Sequence, residues 1–561
     1  MLPAATPGEA GPRGTYQVRL SDGSRGFQYS VRQPIPVLLL LAGTAVIVLL
    51  VACANVAGLQ LLKGASRQQE LAVRATRGSG RLRLARHTLT ESLMLALAGG
   101  GLGLLLASWS TRVLSRLVWP AETAVDLAVD LRVFAFLVAL SLVAALLAGV
   151  LPAIRAARLA PAVGLAQRSG RATSRFGVGR LPVSLQVALS LVLLVGAGLF
   201  ARTLVNLYRV DTGFDPASVL MFSLDASTAG FKGKAATDVY ERALEDIGRV
   251  PGVRSVAHSG FAMLSGWRTT TTARIAGRPA DRQSVQVLGL AVSDGFFETM
   301  RLPLRRGRPF APSDNEAAPR VFAVNDTFAR TLFAGEDPIG QTVTLPEGEG
   351  RIVAVVADMT YVGLREPTEP TVFYPWRQQQ RVARAVFEVR TTVPPLSVLP
   401  AIRRIVAGID SRLPVSDAKT QAAQLDESIR SERGLTTLAV FLALVAVLLS
   451  CIGLYGVMAY HVARRSGEIA IRMALGSSRW RIVGPILQDA LLMVVAGLVV
   501  ALPAAFAVSR LLRDYLFGIE PTDPMTTVAA TLLLLVAALS GALVPARRAA
   551  GVDPVVALRC E

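Results

Sequence analysis

The chain contains very few of the residues that form disulfide or metal sites. It has three cysteines and three histidines among 561 residues. Two cysteines lie inside apolar runs and the third is next to last, so no disulfide framework is expected; they are Cys53, Cys451 and Cys560. The histidines are too widely separated for metal-ligand spacing; they are His87, His258 and His461. We therefore expect no metal site and no bound cofactor.

The chain also lacks the glycine-rich loop that cradles nucleotide phosphates. The nearest stretch, 230–234, has the wrong glycine spacing for that motif. No nucleophile–base pair is recognisable either. We expect that the chain is not an enzyme. If ATP drives it, a separate polypeptide must hydrolyse the ATP.

Charged residues are absent from seven long stretches, which is rare in soluble proteins. Each is about as long as the 20 residues that span a bilayer. The stretches lie within 33–62, 92–111, 133–154, 181–201, 434–460, 490–509 and 524–546. They predict an α-helical polytopic membrane protein with seven transmembrane helices. No acidic or basic residue lies within them, and nothing indicates a polar substrate path.

The net charge of +19 is concentrated in short loops rather than in the large polar insert. Residues 204–433 carry 28 Lys and Arg against 26 Asp and Glu. The excess lies in 63–88, 155–180, 461–488 and the C-terminal end. Short basic loops are typically cytoplasmic, so the C-terminus is predicted inside and the insert outside. The charge thus indicates topology, and no nucleic acid partner is expected.

The polar insert is predicted to be a mixed α/β domain. Strand-like runs occur at 219–224, 351–356 and 385–390. Helical periodicity appears at 240–247 and at 395–409. With about 230 residues, the insert is large enough for its own core.

The chain contains an internal repeat built on its membrane segments. The segment Glu70 to Arg74 recurs as Glu468 to Arg472, and Cys53 recurs as Cys451, all with an offset of 398. A second frame, offset by 393, pairs 152–165 with 545–558. A repeat of this length indicates a duplicated membrane protein.

The repeated cytoplasmic segment is the best functional candidate in each copy. Its acidic and basic residues stand four apart with the acid first, the favourable order for a helical pair, and its glycine fits a helix C′ position. The residues are Glu70, Arg74 and Gly78 in the first copy, and Glu468, Arg472 and Gly476 in the second. A short helix lying against lipid headgroups is the simpler alternative. We favour partner docking, because lipid binding would require only basic charge.

Small residues in the membrane segments predict close helix contacts. Gly99 and Gly103 stand four apart, and Gly497 and Ala501 are their counterparts in the second copy. Such spacing lets helix backbones approach one another. We assign these positions to packing.

Seven short motifs are distributed along the chain: 52–57 (ACANVA), 70–78, 292–300 (VSDGFFETM), 335–340 (GEDPIG), 452–457 (IGLYGV), 468–476 and 545–550 (PARRAA). Together they resemble the motifs of bacterial ABC transporter permeases of the MacB/FtsX type. They are most similar to those of the duplicated orphan permease branch of acidobacteria and their relatives.

The resemblance implies a division of the chain into permease units around a MacB-like periplasmic core domain. The implied divisions are a remnant tail of a first extracytoplasmic domain at 1–33, a first permease unit at 34–165 with spans near 35–62, 90–111 and 133–154, a cytoplasmic linker at 166–180, a transmembrane helix at 181–203, the core domain at 204–420, and a second permease unit at 434–558 with spans near 434–460, 490–509 and 524–546. The first copy then lacks an opening helix and a core domain, which suggests either a misplaced gene start or an N-terminal truncation.

The resemblance also implies function, location and partners. A separate cytoplasmic ABC ATPase would drive movement of the extracytoplasmic domain through 70–78 and 468–476, for export or extraction of an unknown substrate. The alternative is a transmembrane signal transmitter, like FtsX, that regulates an extracytoplasmic partner without transport. The expected location is the bacterial inner membrane, within the lipid bilayer. A periplasmic or outer-membrane partner is a further expectation.

Overall fold

The structure is a computed structural model. It describes residues 34–66, 90, 93–94, 96–105, 108, 131–158, 180–276, 284–379, 384–464, 469, 471–473, 475 and 477–549.

The described helices comprise long apolar helices and shorter helices of the insert. They are α1 (Pro34–Ser66), α2 (Ala96–Leu105), α3 (Leu131–Arg158), α4 (Arg180–Tyr208), α5 (Lys234–Gly248), α6 (Phe296–Thr299), α7 (Asp326–Phe333), α8 (Leu399–Ile409), α9 (Gln421–Ser428), α10 (Arg430–Arg464), α11 (Arg479–Leu511) and α12 (Pro524–Ala549). The strands are β1 (Val219–Asp225), β2 (Val253–Ser259), β3 (Thr270–Ile275), β4 (Val285–Val292), β5 (Leu304–Gly307), β6 (Val321–Asn325), β7 (Thr342–Leu345), β8 (Gly348–Val356), β9 (Thr371–Pro375), β10 (Arg384–Thr391) and β11 (Ser416–Thr420).

Five described helices contain segments long and apolar enough to cross a bilayer. These segments are Ala42–Gln60, Leu181–Tyr208, Arg430–Ala463, Trp480–Leu511 and Pro524–Arg548. Two further predicted spans coincide with shorter apolar helical segments among the described residues, Ala96–Leu105 and Phe134–Ala144. The structure therefore supports a membrane protein with five apolar helices of spanning length, and the count of seven stays a prediction.

Helix α4 lies at the centre of the membrane region. Its most apolar window is 72% buried, whereas the corresponding windows of the other four spanning helices are only 22–28% buried. The buried positions of α4 form one apolar cluster with α10, α11 and α12. The outer helices instead expose many Leu, Val and Phe side chains, as expected of surfaces that face lipid. The second permease unit is thus assembled around α4.

The internal repeat is visible as a repeated helix contact. In the first copy, the Cys53 thiol on α1 lies 4.0 Å from the Ala144 carbonyl oxygen on α3. In the second copy, the Cys451 thiol on α10 lies 3.3 Å from the Ala537 carbonyl oxygen on α12. Ala144 and Ala537 differ by 393, the offset of the second sequence frame. The two copies therefore pack their first and last helices at equivalent positions.

The insert folds around one mixed sheet, and its predicted strands are confirmed. The runs at 219–224, 351–356 and 385–390 lie in β1, β8 and β10. The order is β11-β1-β10-β2-β4-β3-β7-β8-β6-β9, with β5 beside β8. Most pairs are antiparallel, and β4–β9 and β6–β8 are parallel.

The predicted helices of the insert are also confirmed, and both cover the same part of the sheet. Helix α5 buries Tyr240, Ala243 and Ile247, which recur at helical spacing. The predicted helix at 395–409 is α8, preceded by a 3₁₀ turn at 395–398. Both helices pack with Phe222 and Phe387 of β1 and β10. This layer fixes one face of the sheet and leaves the opposite face for other contacts.

Candidate functional site

The predicted docking segments fall mostly outside the described residues. Glu70, Arg74, Gly78, Glu468 and Gly476 are all outside them. Arg472 is described, and its side chain is exposed in a short helical stretch at 471–473. The assignment of both segments to partner docking therefore stays a prediction.

The backbone around Arg472 has the hydrogen bonds of a helix end. The Leu475 amide donates to the Ile471 carbonyl at 3.0 Å, and the Ser477 amide donates to the Arg472 carbonyl at 3.0 Å. A bond from an amide to the carbonyl five residues earlier is the outer bond of a Schellman motif. The helix of the second segment therefore ends just before α11 begins, and Arg472 lies in its last turn.

The two copies meet in the membrane at equivalent positions of α1 and α10. Asn55 and Gly453 are related by the offset of 398. A Cβ built on Gly453 would lie 3.2 Å from Asn55 Oδ1, and Asn55 Nδ2 donates to the Leu449 carbonyl at 3.4 Å. One turn further on, a Cβ on Gly456 would lie 2.8 Å from Leu59 Cδ2. This interface joins the two permease units.

Neutral polar side chains from α4 and α10 extend this interface. The Ser190 and Ser450 hydroxyls lie 2.8 Å apart, and Ser190 also donates to the Ala446 carbonyl at 3.1 Å. Gln186 is 1% exposed, and its Oε1 would lie 2.5 Å from a Cβ on Gly453. Among the described residues, neither Gln186 Nε2 nor Asn55 Oδ1 has a hydrogen-bond partner. Polar residues within apolar spans are the only signal of this cluster in the sequence, and they do not show that its members meet.

The predicted small-residue contacts differ between the copies. A Cβ on Gly497 of α11 would lie 2.7 Å from the Ser184 carbonyl oxygen of α4 and 2.8 Å from Val187 Cγ1. Beside it, the Ser184 hydroxyl donates to the Met493 carbonyl at 3.0 Å. Gly99, the counterpart of Gly497, has no described atom within 4 Å of a built Cβ. The close approach is therefore confirmed for Gly497, and the described residues do not show it for Gly99.

At its other end, α4 is tied to the loop between α11 and α12. Asn206 Nδ2 donates to the Phe517 carbonyl at 3.2 Å and to the Gly518 carbonyl at 3.0 Å. The Phe517 amide donates to the Thr203 hydroxyl at 3.3 Å. Arg202 forms an ion pair with Asp523 nearby. These bonds fix the loop to the helix that leads into the insert.

A second group of bonds ties the insert directly to the membrane helices. Arg365, in the loop after β8, donates from Nε to Glu432 Oε1 at 3.0 Å. The same guanidinium donates from Nη2 to the Tyr515 carbonyl at 2.9 Å. Glu432 lies in the first turn of α10, and Tyr515 follows α11. Arg365 thus connects one loop of the insert to the start of α10 and to the loop that follows α11.

The apolar core of the insert continues into the helix ends. Leu207 at the end of α4 and Ile429 just before α10 are 0% and 2% exposed. Both belong to the same buried cluster as Phe296 and Phe373 of the insert, with Phe517 packed against it. We call the contacts of Asn206, Arg365, Glu432 and this shared core the membrane–domain junction. The insert and the helix ends at the junction are therefore packed against one another through one buried cluster.

Two family models together match most of the chain. Residues 42–161 and 440–554 match the FtsX-like permease C-terminal model. Residues 187–408 match the MacB-like periplasmic core domain model. The two FtsX-like matches cover most of the two copies of the repeat, and the core-domain match begins within α4.

The curated relatives share part of this arrangement. The macrolide export ATP-binding/permease protein MacB of Agrobacterium fabrum is 26% identical over 304 residues, which cover 52% of this chain and 46% of the relative. The protein of the same name from Sodalis glossinidius is 25% identical over 323 residues, covering 55% of this chain and 48% of the relative. The chain spans about half the length of the curated relatives it matches.

Solved structures of extracytoplasmic domains also align with the chain. The periplasmic region of MacB from Actinobacillus actinomycetemcomitans aligns with a TM-score of 0.27 and 11% identity, covering 38% of this chain and 92% of that structure. The extracellular domain of the transporter YknZ from Gram-positive bacteria aligns with a TM-score of 0.25 and 15% identity, covering 35% of this chain and all of that structure.

Proposed function

Because the chain belongs to the MacB/FtsX-type permeases, we propose that it is the permease subunit of an ABC transporter and couples ATP hydrolysis by a separate ATPase to movement of its extracytoplasmic domain. The transported substrate would be exported or extracted. The chain would lie in the bacterial inner membrane with seven spans, its insert outside and its C-terminus cytoplasmic.

The observation that carries this proposal is the membrane–domain junction. Arg365 bonds both to the first turn of α10 and to the loop after α11, and the buried core of the insert includes the end of α4 and the residue that precedes α10. A loosely tethered domain would not share a core with the helices that support it. This construction favours mechanical transmission over passage of a substrate through the helices.

The cytoplasmic end of the same route would be the two repeated segments. Arg472 is exposed, as a docking residue must be. Its helix ends immediately before α11, which packs on α4 through Gly497. A displacement of the segment at 468–476 would therefore move α11 and, through the contact at Gly497, α4. Helix α4 leads into the insert.

One experiment on the full chain copurified with its ATPase distinguishes docking of the ATPase from transmission of movement to the insert. Reversing the charge in both segments, Arg74→Glu with Arg472→Glu, should remove most of the copurifying ATP hydrolysis. Arg365→Gln should keep the ATPase bound but break the tie between insert and membrane helices. A distance between fluorophores on the insert and on the outer end of α12 should then no longer change on ATP addition.

Arg412→Gln is the matched control, because Arg412 forms an exposed ion pair with Asp410 within the insert. It should leave both readouts unchanged. Retention of ATP hydrolysis in the double charge reversal would refute the docking assignment. An ATP-driven distance change of normal size in Arg365→Gln would refute the junction as the route of transmission.

A further inference from the structure

A large cleft opens in the insert on the sheet face opposite α5 and α8. Its volume is about 960 Å³, within the range of sites that hold drug-sized molecules. The floor is formed by Ser223 of β1 and Val386 of β10, which pair directly across the sheet. The walls come from the loop after β2, from β11 and from α9. The cleft is therefore bounded by several separate elements of the domain.

Each carboxylate that lines the cleft among the described residues has a cationic partner, whereas one lining cation has no carboxylate partner. Lys419 lies 3.1 Å from Asp417 and 2.7 Å from Glu427, and Glu366 pairs with Arg268 outside the cleft lining. Arg384 is exposed and donates from Nη2 to the Ser223 hydroxyl at 2.9 Å. Within the described ranges, no carboxylate forms an ion pair with Arg384. Among the described residues that line the cleft, Arg384 is thus the cation available to a ligand, and the Ser223 hydroxyl lies beside it.

Aromatic side chains line the same cleft. Phe261 and Tyr374 contribute to its walls, and Trp267 stands on its rim with 70% of its surface exposed. An indole exposed to this degree contributes little to the fold, since its apolar surface stays in water. Aromatic walls with a few placed polar groups are characteristic of sites for organic ligands.

The loop that carries Trp267 is held in a fixed conformation. Leu264 has a φ of +60°, which is costly for a residue with a bulky side chain. Its amide donates to the Tyr361 carbonyl at 2.9 Å, and its carbonyl accepts from Gln424 Nε2 at 3.0 Å. The Gly266 amide donates to the Val362 carbonyl at 3.1 Å. The loop is therefore preorganised and would present Trp267 to a ligand without a change of conformation.

We propose that this cleft binds an amphipathic organic anion, with its apolar body against Trp267, Phe261 and Tyr374 and its anionic group on Arg384 and Ser223. This ligand class rests on the proposed function of the extracytoplasmic domain, whereas the binding itself requires no ATPase. Gln424 and Glu427 place α9 in the cleft wall, and α9 ends two residues before α10 begins. The cleft is therefore bordered by the segment that leads directly into α10.

The test measures binding of anilinonaphthalene sulfonate to the full chain in nanodiscs of zwitterionic lipid, with empty nanodiscs subtracted. Its uncharged counterpart, phenylnaphthylamine, is titrated in parallel. Arg384→Gln should weaken sulfonate binding about tenfold or more, as loss of a hydrogen bond to a charged group predicts. It should leave phenylnaphthylamine binding unchanged. Trp267→Ala should weaken binding of both probes.

Arg403→Gln is the matched control, because Arg403 is an exposed arginine on α8, on the other face of the sheet. It should bind both probes as the wild type does. Equal sulfonate affinity in the wild type and in Arg384→Gln would overturn the proposal, as would an equal loss in Arg403→Gln. Unchanged thermal midpoints of the variants exclude misfolding.

Two sources of such an anion are distinguished by competition. Naphthalene sulfonate represents a soluble aromatic anion, and lysophosphatidate represents a lipid anion. Displacement of the bound probe by one of them supports the site and identifies the source. Displacement by neither overturns the assignment of this cleft to amphipathic anions. Because none of these arms measures ATP hydrolysis or transport, failure of the proposed function would leave their outcome unchanged.

Discussion

The repeat supplies a matched pair of glycines for measuring the contact between α4 and α11. Gly497→Ala places a methyl group 2.7 Å from the Ser184 carbonyl oxygen, whereas Gly99→Ala places one where no described atom lies within 4 Å. The obstructing oxygen belongs to the backbone, so it cannot move unless α4 moves. We expect Gly497→Ala to destabilise the chain and Gly99→Ala to be neutral or stabilising.

The expected magnitude follows from comparing the two variants with each other. Replacing glycine by alanine in a helix gains about 1 kcal/mol of helix propensity, and this gain is common to both. The difference therefore isolates the cost of overpacking, typically about 1–3 kcal/mol. The displacement would also strain the hydrogen bond from Ser184 to the Met493 carbonyl, one turn away. We expect a difference of about 1–3 kcal/mol in the free energy of unfolding, with Gly497→Ala the less stable.

Titration of each variant with sodium dodecyl sulfate in mixed micelles, followed by tryptophan fluorescence, gives these free energies. Equal stability of the two variants would refute the close approach of α4 and α11 at Gly497. A loss in Gly99→Ala as large as that in Gly497→Ala would show that the first copy has a comparable contact at Gly99.

Two further predictions concern pH. Burial raises the pKa of the Glu388 carboxyl well above its ordinary value, although a hydrogen bond from Ser259 opposes the shift. As pH rises, the unfolded chain loses this proton before the folded chain does. The free energy of unfolding therefore falls as pH rises from the ordinary glutamate range toward the raised pKa, by at most about 1.4 kcal/mol per pH unit. Glu388→Gln should remove this dependence of stability on pH. Burial, aided by the charge of Arg377, lowers the pKa of His258 to about 3. Stability should therefore fall as pH drops from about 6.5 toward that value, and His258→Phe should remove the loss. Thermal midpoints of the full chain between pH 4 and 8, roughly the interval of these titrations, check both; slopes identical to those of the wild type would contradict them.

Local patterns in the sequence predicted the elements of the insert but not their arrangement. The strand at 219–224 was recognisable from its short, largely apolar run. Its neighbours, β10 and β11, lie more than 150 residues further along the chain, and no local signal specifies that pairing. The strain at Leu264 likewise depends on contacts with distant loops and was not predictable.

The candidate site was predicted only in part for the same reason. Repetition and charge identified the cytoplasmic segments, and those segments stay predictions. The tie from Arg365 to Glu432 joins residues 67 positions apart and depends on how the insert rests on the helices. The role of Asn55 depends on which helix faces it. A single sequence shows that such a side chain is polar, but not which residues of other helices it contacts.

The meeting of Asn55 and Gly453 has a consequence for how the two halves can diverge. In a symmetric homodimer, a residue on the two-fold axis faces its own copy, and any substitution there changes both sides together. Here the position exists twice in one chain, with an amide on one side and no side chain on the other. The amide occupies the space that a second asparagine would need. Because both positions lie in one chain, Gly453 can leave the space that the Asn55 side chain fills. Each position can then change independently of the other.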